Sequence, residues 1–240
     1  MRIVNWNIER HAPSTWQARS LLAEISQLNP DILCLTEAWE TSTEQLGGFP
    51  ISSTGVAWSD KDHEERKVLL WSQNVWRDVD VIEQLEAIGS GITGLTRLGE
   101  TDVRVVGLCV PYHFASPIGL EPRAKPWTQH ERFLEELAPL LRLWRKAGPV
   151  IVTGDFNRFI PRYWGPKRSY ALLEAALDGY EVVTAGELAG VDKRAIDHIA
   201  FAGDFITTSV FGRPAEAEDG RRRSDHFGVV ADFELGSSGV

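Results

Sequence analysis

Cysteine is scarce in this chain: Cys34 and Cys109 are its two examples, each inside an apolar run. That argues against a small secreted scaffold stapled by disulfides and leads to the expectation of a reducing, cytoplasmic setting. No Cys/His group has the spacing of a structural zinc site. No glycine-rich loop runs into Lys-Ser or Lys-Thr, which disfavours a P-loop nucleotidase. No uncharged apolar stretch approaches the roughly 18 residues that cross a bilayer. The strand-like run near Met1 follows no basic, apolar leader, so a signal peptide is not expected. Positive charge is in deficit as well, with 25 Lys and Arg against 34 Asp and Glu and a formal net charge of −9. A surface that gripped nucleic-acid backbone everywhere would be basic, so any positive field must be local.

What is present has a hydrophobic period that changes repeatedly. Strands are predicted over 3–8, 32–36, 68–71, 79–82, 91–98, 103–110, 150–153, 196–201, 206–211 and 227–233. A helix is predicted over 14–28, with Ser14 or Thr15 as N-cap and Asn29-Pro30 as its stop. Two more are predicted over 128–146, kinked or divided at Pro139, and over 169–177. Loops are expected at 39–56, 59–66, 114–126, 158–168 and 213–223. Helices between some strands and hairpins between others point to mixed sheets covered by helices. With no repeat or low-complexity linker, a single domain over residues 1–235 and a flexible tail over 236–240 are expected.

Several apolar strands finish in polar groups that a plain core would not accommodate. The run Val150-Ile151-Val152-Thr153 leads into Gly154-Asp155-Phe156-Asn157. On an extended backbone Asp155 and Asn157 share one side while Phe156 points to the other. The carboxylate can orient or deprotonate a water, and the amide can bind a phosphoryl oxygen. Taken alone, Asp-x-Asn is equally a turn that caps the next segment. Ser224-Asp225-His226 precedes an apolar run, and a carboxylate can fix the tautomer of an imidazole whose other nitrogen meets a substrate. Asn5, Asn7 and Glu9 alternate with Val4, Trp6 and Ile8, and Glu37 closes an otherwise apolar run. A buried carboxylate needs a metal, a donor or solvent, and magnesium is held by one or two carboxylates with an amide and water. Asp197 is another acid at a strand start. His11, His63 and His130 are expected at the surface, and His113 follows a strand close to the other candidates.

In this order the motifs resemble the endonuclease/exonuclease/phosphatase superfamily of deoxyribonuclease-I-like metal-dependent phosphoesterases. The resemblance is carried by Trp6-Asn7, Leu35-Thr36-Glu37, Gly154-Asp155-Phe156-Asn157, Ile196-Asp197-His198-Ile199 and Ser224-Asp225-His226, across nearly the whole chain. It implies an α/β fold, a four-layer α/β/β/α sandwich of two mixed β-sheets flanked by helices. It implies Glu37 as principal metal ligand, with Asn7, Asp225 and Glu9 in the metal site, and Mg2+ or Mn2+ as the ion. Asp155 would activate water and Asn157 would bind phosphoryl oxygens. His226 would contact the scissile phosphate, oriented by Asp197 or Asp225. One departure stands out: Cys109 sits two residues before Pro111, where many members carry Tyr or His. Tyr112 or His113 could reach the same space, though neither is in the matching register, and His113 is included among the candidates.

Phosphate ester cleavage needs in-line attack by water, an offset for charge on the non-bridging oxygens, and a stabilised leaving oxygen. Asp, Glu, Asn and His around a metal meet those needs without a covalent nucleophile. Arg158, Arg162, Lys167 and Arg168 follow Asn157, and Arg221 to Arg223 precede Ser224. With Tyr163, Trp164 and Trp127 interleaved, Arg158, Arg162, Trp164 and Arg223 become the expected substrate contacts, suited to stacking and charge on a nucleotide. A nuclease or nucleotide phosphodiesterase is therefore expected. The alternatives are a phosphatase or phospholipase acting on inositol phosphates or sphingolipid, and a non-catalytic binding module on the same scaffold.

Overall fold

The computed structural model describes residues 1–54, 64–116 and 123–236. His63, parts of the loops expected at 59–66 and 114–126, and the tail residues 237–240 lie outside them. The chain runs β1 (Arg2–Asn7), α1 (Trp16–Leu28), β2 (Ile32–Trp39), a 3-10 turn (Glu40–Leu46), β3 (Phe49–Ser52) and β4 (Glu65–Ser72). Then come β5 (Arg77–Val81), α2 (Glu83–Glu86), β6 (Ser90–Leu98), β7 (Thr101–Cys109), α3 (Thr128–Ala147) and β8 (Val150–Asp155). Last are α4 (Lys167–Ala176), β9 (Glu181–Val182), β10 (Asp197–Ala202), β11 (Phe205–Arg213) and β12 (Gly228–Leu235). Among the described residues no helix is long and apolar enough to cross a membrane.

The strands form two mixed six-stranded sheets, ordered β11-β12-β1-β2-β4-β3 and β5-β6-β7-β8-β10-β9. Each contains one parallel pair, β1 with β2 and β7 with β8. Parallel neighbours need a crossover, and α1 and α3 supply it. The apolar strands carry a core on each face. Ile3, Ile32, Cys34, Val68 and Leu70 of the first sheet meet Val103, Val105, Ile151, Ile199 and Phe201 of the second. Their sequence neighbours Val4, Trp6, Leu33 and Leu35 face outward against Leu21 and Ile25 of α1. Val106, Leu108, Val150 and Val152 likewise pack under Phe133, Leu137 and Leu141 of α3 and Leu173 of α4. Side chains alternate across a strand, so two-sided burial demands near-continuous hydrophobicity, which these runs possess. The four layers are α/β/β/α.

Thr15 caps α1, its hydroxyl accepting from the Ala18 N–H at 3.3 Å, and Asn29 ends the helix in the left-handed conformation. Pro139 does not divide α3, which runs unbroken from Thr128 to Ala147. The segment expected as one loop over 39–56 contains the 3-10 turn and edge strand β3. Short α2 and β9 carry too few residues to display a period, and they too escaped the sequence pattern.

Polar ties cross between the sheets: the Asn5 amide donates to the carbonyls of Gly154 at 2.9 Å and His198 at 3.3 Å, and the Ser72 and Thr96 hydroxyls meet at 2.9 Å. Gly154 itself has φ +141°, and a Cβ there would lie 1.9 Å from the Leu108 carbonyl oxygen of β7. Only glycine fits beside that backbone. Gly154→Ala is therefore expected to cost roughly 4 kcal/mol or more, seen as loss of soluble protein or a collapsed melting temperature. A variant melting within about 3 °C of the parent would show that β7 and β8 can separate there at little cost.

Candidate active site

Topology brings the polar strand ends together. β1 and β2 are parallel, β12 is antiparallel to β1, β7 and β8 are parallel, and β10 is antiparallel to β8. The C-terminal ends of β1, β2, β7 and β8 therefore lie beside the starts of β10 and β12. Asp197 sits directly opposite Asp155 in the β8–β10 ladder, and both are 3% exposed. Like charges facing across a ladder repel, so this pair marks a site built for something other than stability.

Asp155 is held by three donors. Its Oδ1 accepts from the Asn157 backbone N–H at 2.8 Å. Its Oδ2 accepts from the side-chain amides of Asn157 at 3.0 Å and Asn7 at 3.3 Å. Burial and the neighbouring Asp197 carboxylate raise its pKa above the usual carboxylate range, and His226 only partly offsets them. Asn157 adopts a left-handed backbone, φ 49°, which asparagine tolerates. Its amide also donates to the Val110 carbonyl at 2.9 Å. Both amide hydrogens are thus engaged, and in this arrangement Asn157 holds Asp155 rather than facing a phosphoryl oxygen as expected. The Asn7 amide is oriented in turn, because its Oδ1 accepts from the Glu9 N–H at 2.9 Å.

His226 precedes β12 in a braced loop. Ser224 Oγ donates to the Asn7 carbonyl at 2.6 Å and accepts from the His226 N–H at 3.1 Å. Trp6 Nε1 donates to the His226 carbonyl at 3.0 Å. On the ring, Nδ1 lies 2.6 Å from Asp197 Oδ2, whereas Nε2 is 3.9 Å from Asp225 Oδ1. Between the two acids that could orient the imidazole, the geometry selects Asp197. Burial opposes charge on this ring, but Asp197, aided by Asp155 and Asp225, outweighs it and raises the pKa to about 10.

Glu37 occupies a left-handed position in β2, φ 50°, a strained conformation for a residue with a side chain. It lines a small open pocket with Lys67, Cys109, Pro111, Tyr112 and Asn157. Its Oε1 receives Lys67 Nζ and Arg10 Nη2, each at 2.9 Å. Burial alone would lift this carboxyl; the Lys67 ammonium and then Arg10 reverse that and hold it below the usual range. Cys109 forms the pocket wall, with burial pushing its thiol pKa up.

The remaining expected residues lie at the edge or elsewhere. Glu9 pairs with Arg222 at 2.9 Å, in a turn that has already left β1, and Asp225 has a half-exposed side chain outside the central cluster. Arg158 is buried, its guanidinium 4.4 Å from the Trp127 ring centre and donating to the Pro166 carbonyl at 2.7 Å. Arg223 is buried too and pairs with Glu24 of α1. Both guanidinium groups are directed into the protein rather than exposed, unlike the placement expected of substrate contacts. Arg162 and Trp164 remain exposed. His113 packs against Phe114 with ring centres 4.1 Å apart, against Trp164 at 5.1 Å and against Trp127 at 5.5 Å, an aromatic ledge rather than a member of the carboxylate cluster. His130 is not at the surface: it is fully buried, with Nδ1 2.8 Å from the Pro111 carbonyl, and burial lowers its pKa to about 4. His198, also buried, lies between Thr184 Oγ1 at 3.0 Å and the Arg158 carbonyl at 2.8 Å.

Lys67 and Arg10 were not anticipated from sequence. The signal available was the one that found Glu37, a charged residue at the end of an apolar strand, but Lys67 sits in the basic and acidic run Glu64-Glu65-Arg66-Lys67 and blends into it.

The donors present fit a divalent cation. Asp155, Asp197 and His226 offer ligand atoms within 4.8 Å of one another. Asp197 Oδ1 is buried and has no hydrogen-bond partner among the described residues. An orphaned carboxylate oxygen is costly. With Glu37 and the Asn7 amide at the neighbouring ends of β2 and β1, the oxygen donors suit magnesium or manganese. His226, kept protonated by Asp197, is not among those that would hold the ion.

Residues 4–226 match the Endonuclease/Exonuclease/phosphatase family, and the chain belongs to that family. Its members are generally hydrolytic phosphoesterases that depend on a divalent metal. The fold is shared with the human Nocturnin catalytic domain with bound sulfate anion, at 17% identity and TM-score 0.71 over 98% of this chain and 93% of that one. It is shared with D. rerio TDP2 complexed with single strand DNA product, at 14% identity and TM-score 0.67 over 98% and 99%. A 3'-5' exonuclease from Neisseria meningitidis aligns at 18% identity and TM-score 0.64 over 98% and 100%. No curated protein matches the chain at a significant level of sequence similarity.

Proposed function

We propose that this protein is a magnesium- or manganese-dependent phosphodiesterase acting on a nucleotide or an unpaired nucleic-acid strand. The observation that carries the reading is the meeting of Asp155, Asn157, Asn7, Asp197 and His226 at one end of both sheets, with Glu37 lining the adjoining pocket. Glu37 and Asn7 would hold the ion, which when bound supplies Lewis acidity at the phosphate. Asp155, its basicity raised by burial, takes a proton from the attacking water as the new oxygen–phosphorus bond forms. Asn7 and Asn157 fix the direction of that carboxylate. His226, kept protonated through Nδ1 by Asp197, presents Nε2–H to the phosphate and gives its proton to the departing oxygen as that bond breaks.

The substrate class is supported by the aromatic ledge beside the pocket. Tyr112, Phe114 and Trp164 are exposed by 51%, 62% and 45%, enough ring surface to stack a base. Charge argues against long duplex. Arg168 is engaged by Glu131 and Glu135, Arg221 by Asp219 and Arg222 by Glu9, so much of the flanking positive charge is neutralised internally. Arg162 and Lys167 remain exposed.

The test is hydrolysis of bis-p-nitrophenyl phosphate, single-stranded oligonucleotide, duplex, dinucleotide, inositol phosphate and sphingomyelin with manganese, with and without chelator. Chelator-sensitive cleavage is expected, with single strands or dinucleotides preferred at least about tenfold over inositol phosphate. A preference for inositol phosphate would move the protein to the phosphatases, and no turnover of any substrate would make it a binding module.

A further inference from the structure

Glu37 is the carboxylate assigned to a divalent cation, yet two side-chain cations already meet on one of its oxygens. They differ in setting. Lys67 has an 18% exposed side chain and lines the pocket beside Asn157, Cys109 and Tyr112. Arg10 comes from the turn after β1 and is 48% exposed. The backbone under Lys67 is fixed by the pairings Thr36 with Val68 and Ala38 with Arg66, while its four-carbon stem keeps its freedom. An ammonium bonded to a carboxylate competes with any other cation for it. The same ammonium, released into a pocket that also holds Asn157, becomes a donor for an anion. The wall opposite supplies little of that kind, since the buried Cys109 thiol is a weak donor.

We propose that Lys67 is a further substrate-contacting residue, which neutralises Glu37 while no divalent ion is bound and turns to a non-bridging phosphate oxygen once the ion takes that carboxylate. The proposal rests on the phosphodiesterase reading and adds a role that reading does not need. Positive charge is then present in the pocket in both states, and ion and phosphate binding are coupled through one side chain.

The experiment is calorimetric titration of manganese into metal-free parent, Lys67→Met, Lys67→Arg and Arg10→Met, followed by titration of inorganic phosphate into each manganese-loaded protein. Lys67→Met is expected to bind manganese roughly three- to tenfold more tightly, because a competitor is gone. It is expected to bind phosphate roughly ten- to a hundredfold more weakly, having lost a charged donor. Arg10→Met should repeat the first effect and show a smaller second one, and Lys67→Arg should recover part of the phosphate affinity. Phosphate affinity unchanged in Lys67→Met, manganese affinity unchanged or lowered in it, or no manganese binding by the parent would each overturn the proposal. Melting curves of the variants separate a folding defect from these outcomes, with Lys67→Arg deciding if Lys67→Met is unfolded. Should the parent cleave no phosphodiester, the phosphodiesterase reading fails while the two isotherms still decide the position of Lys67.

Discussion

Asp155→Asn is expected to lower kcat for phosphodiester cleavage by about 10³-fold or more while leaving KM within a few-fold. The argument lies in how Asp155 is held. Three hydrogen bonds fix both of its oxygens, and none of the donors is a full positive charge. Burial and Asp197 raise its affinity for a proton, which places its basicity closer to neutral pH than an exposed aspartate's. The amide keeps the shape and removes the basic oxygen. Because binding energy would come from the metal, His226 and the aromatic ledge, the loss should fall on the chemical step. Activity retained within about tenfold would show that another group takes the proton.

The second large effect concerns Asp197 and pH. His226 has a folded pKa of about 10 against an ordinary value of 6.5. A raised pKa means that the folded state holds a proton the unfolded state gives up. The stabilisation is complete below about 6.5 and is lost as pH rises through the folded value. Asp155, also raised, acts in the same direction from its own lower starting point. The metal-free protein should therefore melt about 5 °C or more lower at pH 9 than at pH 7. In Asp197→Asn the carboxylate that sustains the imidazolium is gone, so the melting temperature should depend less on pH over that interval. The alkaline limb of the pH–rate profile should move downward by several units, and turnover at pH 8 should fall roughly 10²- to 10⁴-fold. Identical pH profiles for parent and variant would remove Asp197 from its assigned task.

Much of the scaffold can be read in the sequence because both sheets are buried on two faces. Runs such as Val150-Ile151-Val152 leave no option except an interior strand. The edge elements are harder to read. Phe49–Ser52 has no fully buried residue and begins Phe-Pro, and Glu181–Val182 is too short to alternate. Among the polar residues, Asp155 and Asn157 can be paired from their spacing, and Asn7 and His226 stand out as polar groups at strand ends although their partners lie far off in sequence. The long-range partners of the basic residues cannot be read. Nothing in Arg223 itself says that Glu24 waits on α1, nor in Arg158 that Trp127 lies under it. A basic residue next to a motif reads as a ligand contact until long-range pairing accounts for its charge. Lys67 shows the reverse case, a charge lost within a solvated-looking run that the β2–β4 pairing delivers to Glu37.

The pairing of β1 with β12 has a consequence for how the protein comes into being. The first strand is completed by one of the last, through the pairs Arg2 with Asp232 and Asn5 with Val229, and the Met1 ammonium donates to the Phe233 carbonyl. Asn7 and His226 come from these two ends of the sequence. A chain that stops short of residue 226 lacks His226, and one that stops short of Gly228–Leu235 leaves β1 without its β12 partner. The site is thus complete only when the first sheet is closed by its last strand.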